Sequence, residues 1–123
     1  MSHDIVSDAL NMIMNAKKAG KTELYIIRHS KFLMQVLDIA KKYEYLDYKI
    51  EDKKIKVWMK ELSECRVIKP RYNVTVKEIE KYVRRYMPAR DFGIIIVSTS
   101  SGLLTHKEAE DKNLGGSLIA FFY

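Results

Sequence analysis

From Gly93 to Ser98 the chain reads Gly-Ile-Ile-Ile-Val-Ser, a run of β-branched side chains with nothing polar before its end. Such a run fits a strand buried on both faces. It falls far short of the ~20 residues that cross a bilayer, as does the apolar ending Leu118–Tyr123. A strand of this kind needs a core around it, and the composition supplies one: 123 residues, 47% hydrophobic and 11% aromatic. That is the size of one domain, or of two very small subdomains, able to bury roughly 65–70% of its extended surface. Disorder is not the expected state.

Helical spacing governs the start. Ile5, Ala9, Met12, Ile13 and Ala16 recur on one face between Asp4 and Lys18, and Gly20 supplies a stop. Leu24-Tyr25-Ile26-Ile27 is a short run of strand formers, and Ser30 is placed to cap a second helix with Leu33, Val36, Leu37 and Ala40 inward. A hairpin follows. Tyr48 and Ile50 alternate on one arm and Ile55, Val57 and Met59 on the other, with Lys54, Lys56, Trp58 and Lys60 turned away. The order so far is α-β-α-β-β.

After the polar joint Glu61–Glu64 the pattern becomes strand-rich. The sequence therefore predicts an α/β (α+β) chain of two small subdomains, residues 1–62 and residues 63–123, the second mixed and β-rich with short helices. There, Arg66–Lys69 reads as a strand ended by Pro70, and Lys77–Tyr86 as a basic helix with Ile79, Tyr82 and Val83 inward, closed by Met87-Pro88. Ser98–Gly102 reads as a small-residue turn. Thr105 with Glu108 forms a capping box for a helix through about Lys112, and Gly115-Gly116 breaks the chain before a last strand, Ser117–Tyr123.

Charge narrows the partners. The net charge is +6, and it divides evenly: residues 1–61 carry 12 Lys+Arg against 9 Asp+Glu, and residues 62–123 carry 10 against 7. A basic compact domain favours polyanions through phosphate neutralisation and counterion release. The single cysteine, Cys65, cannot pair internally and reads as a small buried hydrophobe in a reducing compartment. Met1-Ser2-His3-Asp4 carries acid and no basic leader before the first apolar residues, so a cytosolic protein is expected. The sequon Asn73-Val74-Thr75 is read as chance.

The sharpest local feature is Ser98-Thr99-Ser100-Ser101-Gly102. Short hydroxyl side chains in a tight turn approach base edges, ribose hydroxyls and phosphates where long side chains would obstruct, and Gly102 lets the backbone bend. Gly115-Gly116 removes side chains from a second point of close approach, where backbone amides would meet RNA. The plain alternative is an ordinary Ser/Gly loop and a pair of capping glycines. A second feature is the set Lys69, Arg71, Tyr72, Lys81, Arg84, Arg85, Tyr86 and Arg90. Arginines fork to phosphates and tyrosines stack on unpaired bases; the alternative is a solvated helix face, which also contains Lys77, with tyrosines in the core. The Lys54, Lys56 and Lys60 row reads as a charged strand face that resists edge pairing. Asp91-Phe92-Gly93 spells a kinase tripeptide without the rest of a kinase, and His3, His29 and His106 lack metal-ligand spacing. No catalytic pair, metal site or cofactor motif is found, so neither an enzyme nor a cofactor is expected.

Ile68-Lys69-Pro70-Arg71-Tyr72, Met87-Pro88-Ala89-Arg90-Asp91-Phe92-Gly93, the run on through Val97-Ser98-Thr99 to Gly102-Leu103-Leu104 and Ala109, and the ending Leu114-Gly115-Gly116 to Tyr123 together carry a family resemblance. They closely resemble the eighth protein of the small ribosomal subunit in its archaeal and eukaryotic cytosolic form. At the front, Asp4–Leu10, Asn15-Ala16 and Ser30-Lys31 are similar to that family's opening, while Glu44–Cys65 matches loosely. The resemblance implies a two-part α/β protein whose C-terminal subdomain recognises an irregular helix in the central domain of the small-subunit ribosomal RNA. It implies RNA contacts at Ser98, Thr99 and Ser100, supported by Gly102 and the Gly115-Gly116 backbone, with Asn15, Ser30 and Lys31 contributing from the N-terminal half. After the double glycine the family usually places Glu, Arg or Lys, and Ser117 departs from that pattern.

The expected function is thus a non-enzymatic constituent of the small ribosomal subunit that binds ribosomal RNA, aids assembly of the platform and meets neighbouring small-subunit proteins. Neither a membrane nor a small-molecule substrate is expected as a partner. Two competitors remain: a small enzyme that cradles phosphate in Ser98–Gly102 beside the Thr105 cap, and a protein-protein adaptor with Trp58 and Tyr123 as exposed anchors.

Overall fold

The computed structural model describes residues 4–27, 30–69, 71–89 and 92–123. Arg28, His29, Pro70, Arg90 and Asp91 lie outside the described residues, as does the segment before Asp4, so the expectations placed on Arg90, on the Pro70 stop and on His3 and His29 do too. The chain forms two compact units, one through Arg66 and one from Val67 to Tyr123. Both combine helices with antiparallel strands, which makes the fold α+β.

The first unit follows the α-β-α-β-β order. Helix α1 (Ile5–Lys18) starts where Asp4 Oδ1 accepts the amide of Ser7 at 3.0 Å, and it stops at Gly20, whose φ of +77° no residue with a Cβ adopts cheaply. After strand β1 (Glu23–Ile26), helix α2 (Lys31–Lys42) is capped by Ser30 Oγ, which accepts from the amide of Leu33 at 3.2 Å. Strands β2 (Leu46–Glu51) and β3 (Lys54–Met59) form the hairpin. Its turn residues Asp52 and Lys53 both have positive φ, the pairing whose twist matches the flanking strands. The sheet order is β1-β3-β2. Val6, Leu10 and Ile13 of α1, Leu33, Val36 and Leu37 of α2, and Ile26, Leu46, Ile55 and Val57 of the sheet are all buried. Each large apolar side chain so covered contributes roughly 1.5–3 kcal/mol.

Strand β4 (Cys65–Val67) leads into the second unit, followed by β5 (Asn73–Val74), α3 (Val76–Tyr86), β6 (Ile94–Thr99), β7 (Gly102–Thr105), α4 (His106–Asp111) and β8 (Gly116–Phe122). The sheet order is β4-β8-β6-β7, with β5 also pairing β8. Strand β6 is central, with Ile94 through Val97 all buried, as the unbroken apolar run requires. Helix α3 lays Ile79 and Val83 onto Ile95, Val97, Leu118 and Phe121. Its capping box, Thr75 with Glu78, was not read from the sequence.

One element differs in kind from the sequence reading. Ser98–Gly102 does not join a strand to a helix. It closes a β-hairpin, because Leu103 and Leu104 form a further strand, β7, before α4 begins at His106.

Candidate nucleic-acid interface

The hairpin tip is built by register. Thr99 faces Gly102 and Ser98 faces Leu103, which leaves Ser100 and Ser101 as an exposed two-residue turn. Thr99 holds the tip closed. Its hydroxyl donates to Gly102 O at 2.9 Å and accepts the amide of Ser101 at 3.1 Å. Gly102 has φ +99° and open space around it, so the turn needs glycine there for its backbone conformation and not for lack of room within the chain. The hydroxyls therefore divide: Thr99 is spent on the turn, while Ser98, Ser100 and Ser101 are presented by it.

Sheet pairing then adds residues that lie far away in sequence. Ser98 stands opposite Ser117 on β8, and Ser117 stands opposite Asn73 on β5. Cross-strand partners share a face, so Asn73, Ser117 and Ser98 form one polar row. Ser117 Oγ donates to Asn73 Oδ1 at 2.5 Å. The opposite face of the same strands carries Val74, Leu118 and Val97 into the core. Asn73 and Ser117 were not singled out as site residues from the sequence, although Asn73 lies in the sequon and Ser117 at the position that departs from the family.

Gly115 and Gly116 brace this row from within. A Cβ on Gly116 would meet Ser98 O, with Ser98 C at 2.8 Å and Thr99 Cα at 3.2 Å; one on Gly115 would meet Val74 O, with Thr75 Cα at 3.1 Å. The bare backbone at both positions is filled by the chain's own strand ends, which lets β8 press against β5 and β6.

The basic and aromatic set resolves into ring contacts and surface charge. Tyr72 and Tyr82 meet at a tilt with centroids 5.2 Å apart, and Tyr86 stacks on Phe121 at 5.4 Å. These half-buried tyrosines pack on the core of the second unit. Arg85 lies 5.9 Å from the Tyr72 ring and 5.6 Å from Tyr86, and Lys81 lies 5.9 Å from Tyr82. Arg84 pairs with Glu80 at 3.2 Å. Lys69 and Arg71 are exposed on the segment between β4 and β5. Burial raises the Tyr86 phenol above its ordinary range, whereas the amide and hydroxyl of Thr75 hold the Glu78 carboxyl below its own. In the first unit, Asn15 is exposed on α1, Lys31 is exposed at the start of α2, and Ser30 is engaged as that helix's cap.

Other constellations close up. Thr105 Oγ1 accepts the amide of Glu108 at 3.3 Å, and Glu108 Oε1 accepts from the Thr105 amide at 3.2 Å, so two amides a phosphate cradle would draw on are already used. Trp58 and Tyr123 are half-buried rather than exposed anchors, and Tyr123 stacks on Phe121 at 5.9 Å. Cys65 is buried, its thiol 3.9 Å from Leu10 O and pushed up to about 12 chiefly by that burial. His106 is buried too, with Nδ1 accepting the amide of Ile95 at 3.1 Å. Among the described residues no cluster of His, Cys, Asp or Glu is arranged to hold a metal ion, and no helix is long and apolar enough to cross a membrane.

Fold and site together define a small basic α+β binding protein whose polar feature is a braced hairpin tip of short side chains. The chain belongs to the ribosomal protein S8 family, whose model matches residues 4–123. It is 41% identical to small ribosomal subunit protein uS8 of Neurospora crassa over 97% of this chain and 96% of that one. It is 40% identical to small ribosomal subunit protein uS8 of Picrophilus torridus over the full length of both, and 37% identical to uS8A of Schizosaccharomyces pombe over 97% of this chain and 96% of that one. The family is a structural, ribosomal one, and the chain is not an enzyme.

Proposed function

We propose that this protein works in the cytoplasm, in the small ribosomal subunit, where its second unit binds the central domain of the small-subunit ribosomal RNA directly and aids assembly of the platform beside neighbouring proteins. The observation that carries the reading is the braced tip: Ser98, Ser100 and Ser101 project from a hairpin whose closure is handled separately by Thr99 and Gly102. Rigid presentation matters because ordering a flexible loop on binding would cost affinity. Short donors and acceptors suit an RNA helix distorted enough to open its edges, while Lys69, Arg71, Lys81 and Arg85 supply salt-dependent attraction to phosphates. Asn15 and Lys31 of the first unit, with the backbone around Ser30, serve as further contacts, and Arg90 is assigned to the phosphate set by its sequence alone.

The test is filter binding of the full chain to a transcript of the ribosomal central domain. Replacing both Ser98 and Ser100 by Ala is expected to weaken binding by about 1–3 kcal/mol, roughly five- to hundredfold in Kd. Thr99 is left intact because its loss would also open the turn. An unchanged Kd would remove the tip from the interface.

A further inference from the structure

A groove runs along the seam between α1 and β1 in the first unit. It consists of two cavities, of about 440 and 510 Å³, that share Met12. One end is lined by Ile5, Ala9, Ile26 and Ile27 with the Asp8 carboxylate beside them; the other reaches Lys21 and Tyr25 and borders Asn15, assigned above to RNA. The rim is exposed to an unusual degree for such side chains: Ile27 at 68%, Tyr25 at 45% and Met12 at 41%. Clustered exposure of this kind marks a surface meant to be covered.

Two observations say what covers it. Strand β1 is at the edge of its sheet: Glu23 to Ile26 pair with Trp58 to Ile55 in unbroken register on one side, and among the described residues no strand lies on the other. Natural edges are usually blunted by lysine, proline or a bulge. Strand β1 is short, at four residues, and carries one charge at Glu23, but Leu24-Tyr25-Ile26 has no charge, proline or bulge, so its outward amides and carbonyls form a template that an extended peptide satisfies in register and a nucleotide strand does not. Charge supplies the second argument. Lys17 and Lys18 end α1 and Lys21 lines the groove, while the acid at that end, Glu23, is paired with Lys56 at 3.6 Å.

We propose that the α1/β1 groove is a docking site for an extended segment of a neighbouring small-subunit protein, which adds a strand to β1. That segment places alternate apolar side chains between Ile5, Met12 and Ile27 and an acidic residue near Lys21. The proposal rests on the ribosomal reading above.

The test uses the tagged full-length chain in the cells that make it, with photoreactive benzoylphenylalanine replacing Tyr25, and irradiation of purified small subunits. A crosslink to a peptide of another subunit protein with alternating apolar residues and an acid is expected. Adding Ile27→Asp is expected to lower its yield by about tenfold or more, while the Kd for the central-domain transcript stays at the parent value. Ile27 is exposed and lies outside the proposed RNA contacts, so loss of folding does not explain such a result. A crosslink to RNA with none to another protein, a crosslink only to a second copy of this chain, no crosslink, or a yield indifferent to Ile27→Asp overturns the docking site and leaves the RNA reading standing. A tagged parent chain that neither enters small subunits nor binds the transcript overturns both.

Discussion

Replacing Gly116 by alanine tests whether the strand-end packing positions the hairpin tip. The added Cβ is driven onto Ser98 O and lies 2.8 Å from Ser98 C and 3.2 Å from Thr99 Cα. All are main-chain atoms of a strand paired with β8 itself, so no side-chain rotation relieves the overlap. The strands must part by roughly 1 Å to restore normal contacts, an overpacking cost of about 1–3 kcal/mol. The displacement falls on Ser98 and Thr99. If the shift takes Ser98 out of contact and, through Thr99, moves Ser100 and Ser101 with it, affinity drops about tenfold to hundredfold. Gly20→Ala serves as the contrast: open space surrounds Gly20, but its φ is +77°, so the penalty is backbone strain of about 1–2 kcal/mol in the first unit. Urea unfolding followed by circular dichroism, with filter binding to the central-domain transcript, separates the two. Gly20→Ala should lose stability and keep its Kd; Gly116→Ala should lose both. A Gly116→Ala protein within about 0.5 kcal/mol of the parent stability and unaltered in RNA binding would refute the claim that this close approach sets the tip.

Three further outcomes follow from the same geometry. His106→Leu leaves the amide of Ile95 buried without its acceptor and should destabilise the chain by about 1–3 kcal/mol in denaturant titration. Cys65, buried with its thiol pushed up to about 12, should resist alkylation by iodoacetamide at pH 8 in the native chain and react after unfolding in urea, as read by intact mass. The Tyr48 phenol is pushed up to about 12, first by burial and then by its hydrogen bond to Asp38. A folded-state value above the unfolded 10.0 means that its stabilising contribution is complete below pH 10 and is lost as pH rises toward 12. Tyrosinate absorbance should show a late-titrating phenol that Tyr48→Phe removes.

Local physics made much of this fold legible without coordinates. The order α-β-α-β-β, the Ser30 cap, the Thr105–Glu108 capping box and the buried strand β6 all depend on residues within a few positions of one another, so periodicity and capping chemistry reveal them. The hydroxyl run Ser98–Ser101 was visible for the same reason. Strands β5 and β7 were not: Asn73-Val74 and Gly102–Thr105 are too short to show alternation, and they become strands only because β8 and β6 offer them partners.

The sequence by itself determined which residues carry hydroxyls, cations and apolar faces, and which short segments prefer helix or strand. Only tertiary structure decided that Asn73 and Ser117, separated by 44 positions, stand beside Ser98 in one polar row. It also decided that Gly115 and Gly116 are occupied by the chain's own strand ends. The reason is that strand pairing is non-local. Register brings distant residues onto one face, and no pattern along the chain records which pairing will win.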